Sequence, residues 1–145
     1  MTNEELILKD LTARLPYNVK FPIIDWDDDI QEEVQVNATL YSINKDGYVR
    51  TLESDYEFDI TSIKPYLFPM SSMTEEQYDE FEKIVSDDYL ENIQITKEMR
   101  EKVDFITHFP IYCPNVIDWF DKNHFDYRGL IEKGLALDAT NLNVY

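Results

Sequence analysis

The chain is poor in the residues that build cross-linked, metal-bound or phosphate-binding scaffolds: one cysteine, three glycines and two histidines in 145 residues. A lone Cys113 permits no internal disulfide and fits a reducing compartment. Gly47, Gly129 and Gly134 stand far apart, so no glycine-rich loop can cradle a phosphate, which argues against nucleotide chemistry. His108, Cys113 and His124 are the soft-ligand candidates, and they lack the paired spacing of a zinc site. Nothing else in the sequence calls for a cofactor. No apolar run approaches the roughly 18 residues of a membrane-crossing helix. The opening Met1-Thr2-Asn3-Glu4-Glu5 is acidic where an export signal is basic. These absences lead to the expectation of a cytoplasmic protein with no membrane partner.

Basic residues are also scarce. Thirteen Lys and Arg face 30 Asp and Glu, for a formal net charge of −17. Such a field repels phosphate backbones and anionic lipid surfaces and attracts a protein partner with a basic surface. Direct nucleic-acid binding is therefore not expected. Salt limits the reach of the field to about 8–10 Å at physiological strength.

What is present suffices for a core. Apolar residues make up 43% of the chain, with ten Tyr, eight Phe and two Trp. A domain of this length buries roughly 68–70% of its unfolded surface, so residues 1–145 read as one domain. Thr2 and Glu5 have capping-box spacing, and Leu8, Leu11 and Leu15 recur on one face of a helix that Pro16 stops. The period then changes to two. Val19, Phe21 and Ile23 alternate, with Pro22 confining that strand to a sheet edge. Val34, Val36, Ala38 and Leu40 form an apolar face of a second strand, and Asn44-Lys45-Asp46-Gly47 predicts a hairpin returning through Tyr48 to Leu52. Tyr56, Phe58 and Ile60 give a fourth strand. Four short sequential strands predict an antiparallel β-meander, or a small SH3-like barrel if it closes.

Pro65 and Pro69 mark residues 64–73 as a connector to a helical C-terminal half. Thr74 and Gln77 cap a helix whose inner face is Tyr78, Phe81, Val85 and Tyr89. Thr96 starts the next, with Met99, Val103 and Ile106 inward. Pro110 and Pro114 bracket a break, Val116 to Lys122 is a third helix, and Asp126 caps a fourth that Gly134 and Leu135 end in a Schellman turn. The fold class is thus α+β: an N-terminal helix, the β-meander, and helices packed upon it.

Three stretches carry a resemblance: Leu11 to Tyr17 (LTARLPY), Ile63 to Thr74 (IKPYLFPMSSMT) and His124 to Ala136 (HFDYRGLIEKGLA). Together they resemble a family of small uncharacterised proteins encoded by phages, prophages and mobile elements of gut anaerobic bacteria. The resemblance brings no activity, cofactor or catalytic residue. It implies a host-cell cytosol and the kind of accessory role in which small acidic phage proteins act on other proteins. Within these stretches, Tyr127 and Arg128 read as a packing corner or an exposed contact.

Two acidic segments are the candidate partner-binding residues. The first is Asp25, Trp26, Asp27, Asp28 and Asp29, continued by Glu32 and Glu33. It fails as a calcium loop, because Ile30 stands where the turn needs glycine and Val36 where a bidentate glutamate belongs. A solvated strand-connecting loop is the default reading, but Trp26 amid charges is the kind of residue that anchors an interface. The second is Glu75, Glu76, Asp79, Glu80, Glu82, Asp87 and Asp88 on one helix, a row of carboxylates able to imitate phosphates. It also reads as the solvated face of an amphipathic helix. From these the leading expectation is a non-enzymatic protein that binds a basic or nucleic-acid-binding protein, as an inhibitor or nucleic-acid mimic. A structural protein assembling through Trp119, Phe120 and Tyr127 is the alternative. A hydrolase built on scattered carboxylates is the third reading, and a deep pocket of carboxylates with raised pKa would be its mark.

Overall fold

A computed structural model describes residues 1–88 and 114–145. The helix read from Thr96, the Pro110 break, Tyr89, His108 and Cys113 lie outside the described residues. Helix α1 spans Asn3–Arg14, and both bonds of its capping box form: Thr2 N–H donates to Glu5 Oε2 at 2.6 Å and Glu5 N–H to Thr2 Oγ1 at 3.1 Å. Its buried face is Ile7, Asp10, Leu11 and Arg14, whereas Leu8 points to solvent. The apolar spacing alone mislocated that face by about one residue, because two of the four inward side chains are charged.

The expected meander is present in the order β1-β2-β3-β4, with β1 Lys20–Asp27, β2 Glu32–Ile43, β3 Tyr48–Thr51 and β4 Glu57–Asp59. β2 pairs with β1 along its first part and with β3 along its last, and Tyr41 is an extra residue between the Leu40–Thr51 and Ser42–Arg50 pairs. Such a bulge bends a strand and increases its twist. The sheet accordingly curls into a half-barrel that does not close. Asn44 builds the β2–β3 hairpin: its Oδ1 accepts from the Asp46 and Tyr48 N–H groups, and Gly47 takes φ +83°. Val19, Phe21, Ile23, Ala38, Leu40, Val49 and Ile60 point inward against α1. Tyr56 does not join them. The fourth strand begins after it, and the ring is exposed.

Residues 64–73 are no mere connector. β5 (Tyr66–Leu67) pairs in parallel with β6 (Leu137–Asp138), and Phe68 bridges to Phe125. Phe68 N–H donates to His124 O and Asp126 N–H to Phe68 O, both at 2.8 Å. The proline-rich stretch is thus extended, as Pro65 and Pro69 dictate, but it is held between two later segments and its Leu67 is fully buried.

Helix α2 (Glu75–Asp88) starts on the expected Thr74–Gln77 capping box and packs Tyr78, Phe81 and Val85 inward. It lies against α3 (Pro114–Lys122) in a second core of Met70, Phe81, Val85, Val116, Phe120 and Phe125. α3 ends in a Schellman motif, with Phe125 N–H bonded to Phe120 O and His124 N–H to Asp121 O. The left-handed position, φ +61°, is held by His124 rather than glycine. The fourth helix is absent. Residues 127–134 form successive turns, yet their closing Gly134 and Leu135 bonds are those expected of the Schellman turn, and Asp126 does cap them by accepting from the Leu130 and Ile131 N–H groups. Among the described residues no helix is long and apolar enough to cross a membrane.

Candidate functional site

The first acidic segment forms the end of β1, the β1–β2 hairpin turn and the start of β2. Asp27 Oδ1 accepts from Asp29 N–H at 2.9 Å and Ile30 N–H at 3.4 Å, and Asp25 Oδ1 from Trp26 N–H at 2.9 Å. Asp25 and Asp27 are therefore partly spent on shaping the turn, while Asp28 and Asp29 are exposed. Across from this turn lies the β3–β4 loop. Glu53 fixes the loop by accepting from Thr39 N–H at 2.6 Å and Thr39 Oγ1–H at 2.7 Å, continuing the ladder past the end of β3.

Together the turn and the loop enclose a hollow of about 430 Å³. Asp25, Trp26 and Asp28 line one wall, and Leu52, Glu53, Ser54, Asp55 and Tyr56 the other. Trp26 is 53% exposed, Leu52 63% and Tyr56 64%. Large apolar side chains are costly to leave in water, and here three of them share one acidic concavity. The loop wall was missed in the sequence, because Leu52 to Tyr56 reaches Trp26 only through the curl of the sheet.

The second acidic segment is separate. Glu75, Glu76, Asp79, Lys83 and Asp87 are exposed on α2, with Glu82 half-buried and Asp88 closing the helix. Glu80 accepts from Trp119 Nε1–H at 3.2 Å, so it serves the helix pair. The two segments cover different cores, the first lying on the half-barrel and the second on the α2–α3 pair. Among the described residues no three His, Cys, Asp or Glu converge to hold a metal ion.

A third cluster went unseen in the sequence. Asp10 and Arg14 of α1, both 0% exposed, form an ion pair at 2.8 Å, and Arg128 Nη1 reaches the other Asp10 oxygen at 2.9 Å. Arg14 Nη2 donates to Phe125 O at 2.6 Å. Tyr127 O–H donates to Asp121 Oδ1 at 2.9 Å, and the Arg128 guanidinium lies 4.4 Å from the Tyr127 ring centre. Burial acts to lower the Arg14 pKa, but Asp10 and Asp121 hold it above its ordinary value. Burial pushes the Asp121 carboxyl up, since its guanidinium neighbours stand off at 3.9 and 3.7 Å. Two arginines and two aspartates compensate one another here. The cluster joins α1 to the turns after α3, and Phe125, whose carbonyl Arg14 holds, is bridged in turn to Phe68. The aspartate and arginine four apart on α1 were the available signal. Tyr127 and Arg128 are a packing corner, and Trp119, Phe120 and Tyr127 are buried, which removes them as an assembly surface. Burial raises the pKa of both Asp121 and Asp126; Asp121 is engaged by Tyr127, and Asp126, which lines a small hollow of about 160 Å³ with Met70, Gly129 and Glu132, is engaged by the Leu130 and Ile131 N–H groups.

His124 is buried against the Tyr145 ring, with centroids 3.8 Å apart and Nδ1 without a partner among the described residues. Burial, aided by the Arg14 charge, lowers its pKa to about 4. The unfolded chain takes up that proton near pH 6.5, so stability present above pH 6.5 is lost as pH falls toward 4. His124→Asn keeps a residue suited to the left-handed position and should abolish this loss. Denaturant titrations should show the stability of the parent relative to the variant falling by about 3 kcal/mol from pH 7 to pH 4. Comparing the two proteins cancels the opposite response of Asp121 and Asp126, whose raised values favour the folded state as they protonate. A pH-independent difference would contradict the burial of a neutral imidazole.

Compared with known protein families, curated proteins and solved structures, the chain matches none.

Proposed function

We propose that this chain is an acidic accessory protein that works by binding, and that it captures a protein partner through a basic surface, such as the phosphate-binding face of a nucleic-acid-binding protein. The observation that carries this reading is the hollow in which exposed Trp26, Leu52 and Tyr56 sit among Asp25, Asp28, Glu53 and Asp55. Trp and Tyr are over-represented among the residues that carry binding energy, and indole and phenol faces attract guanidinium and ammonium groups. The net charge of −17 would speed encounter with such a partner. The exposed carboxylates of α2 supply a second negative face. The resemblance to phage-encoded proteins agrees with a role of this kind in a host cytosol. The assembly alternative loses its support with the burial of Trp119, Phe120 and Tyr127.

The test is a titration with an arginine-rich peptide at low and high salt. Asp28→Lys with Asp55→Lys reverses exposed charge without touching Asp27 or Glu80, which hold the turn and Trp119. This double variant is expected to bind about tenfold more weakly at low salt, with the gap closing at high salt. Equal affinity of parent and variant at both salts would end the proposal.

A further inference from the structure

A second hollow of about 410 Å³ follows the acidic one along β1, lined by Pro22, Ile23 and Ile24 with Gln35, Phe58, Ser62 and Ile63, so the two linings meet in sequence at Ile24 and Asp25. One wall of the combined channel is β1 read in sequence, from Pro22 to Trp26. The other runs from Leu52 through Tyr56 to Phe58 and Ile63. Its character changes along its length, from apolar beside Ile23, Ile24 and Phe58 to acidic and aromatic beside Trp26, Asp28 and Asp55. Pro22 to Trp26 extends about 13 Å, the reach of four or five extended residues.

Among the described residues no strand pairs with the outer edge of β1, and this edge qualifies how a ligand can be held. Val19 O accepts from Leu40 N–H at 2.9 Å, so the alternation of an antiparallel strand turns the backbone of Lys20, Pro22, Ile24 and Trp26 toward the channel. Three of those four positions offer no amide to a newcomer. Lys20 N–H donates to Tyr145 Oη at 3.0 Å, Pro22 has no N–H, and Trp26 N–H is bonded to Asp25. Addition of a foreign strand by a full hydrogen-bond ladder is thereby blocked, and recognition falls to side chains.

Resting on the binding function proposed above, the geometry points to a definite ligand: an extended peptide segment lying along β1, with arginine or lysine at one end over Trp26 and Tyr56 and an apolar side chain about three to five residues away against Ile24 and Phe58. Charge complementarity sets the basic end, and the apolar lining sets the other. Arginine suits the first position better than lysine, because its weakly hydrated plane stacks on aromatic faces while bonding carboxylates.

The experiment is a selection of displayed random peptides on the intact protein, followed by titration of the selected peptides. Retained sequences should pair a basic with an apolar residue at that spacing. Ile24→Ser, at a solvent-facing strand position, should weaken them about fivefold to tenfold with no change in salt dependence, whereas Asp28→Lys with Asp55→Lys should weaken them mainly at low salt. Purely basic peptides indifferent to Ile24→Ser but weakened by Asp28→Lys with Asp55→Lys would overturn the extended-ligand inference and leave the acidic-surface function standing, whereas peptides weakened only by Glu76→Lys with Asp79→Lys on α2 would overturn both. Retention of no peptide at low salt would overturn both.

Discussion

Asp10→Ala is expected to lower the stability of the folded chain by about 3–5 kcal/mol, the loss typical of breaking a buried ion pair from one side. Asp10 is the shared partner of Arg14 at 2.8 Å and Arg128 at 2.9 Å, while Asp121 lies no nearer than 3.7 Å to either. Without Asp10, two guanidinium groups are left facing a single carboxylate in a place water scarcely reaches. Removing Arg14 alone should cost less at Asp10, which keeps Arg128, but it would orphan the Phe125 carbonyl at the head of the segment bridged to Phe68. Urea unfolding of Asp10→Ala beside Lys9→Ala, an exposed neighbour on the same helix, separates the buried pair from any general effect of charge. A shift below about 1 kcal/mol for Asp10→Ala would mean that the site is hydrated and the cluster is a surface feature.

Phe120→Ala should have a loss of similar size, about 3–5 kcal/mol. The Phe120 ring is wholly buried, stacks on Tyr127 with centroids 5.4 Å apart, and meets Phe81 of α2 at the same distance. Truncation would leave a cavity bounded by Phe81, Trp119 and Phe125, rigid rings that close a void poorly. It would also remove the C3 side of the hydrophobic contact in the Schellman turn. Trp26→Ala makes the useful contrast. It deletes a larger ring from an exposed position, and chemical unfolding should show it within about 0.5 kcal/mol of the parent. The paired measurement distinguishes aromatics that hold the fold from those free to meet a partner.

The sequence discloses features whose causes are local. Both capping boxes, the Asn44–Gly47 hairpin, the edge placement of Pro22 and the Schellman turn at Gly134 depend on residues within a few positions of one another, and all are found. Features set by distant pairing are not legible. Residues 64–69 look like a linker because their proline spacing is local information, while their partners at 124–126 and 137–139 are not. The inward face of α1 was misplaced because an apolar count discounts Asp10 and Arg14, whose partners Arg128, Phe125 and Asp121 lie more than a hundred residues away. For the candidate site, the acidic turn and Trp26 are visible in sequence, but Leu52 to Tyr56 join them only after the bulge at Tyr41 bends β2. The C-terminal turns read as a helix because Asp126 and Gly134 are proper start and stop signals with too short a span between them.

The parallel pairing of β5 with β6 has a kinetic consequence. Tyr66 meets Leu137, a partner some seventy residues downstream. Refolding must close that long loop before the Leu67 backbone finds its neighbours, so the half-barrel can form early while the central segment waits. Chains dominated by such remote encounters refold in milliseconds to seconds rather than microseconds.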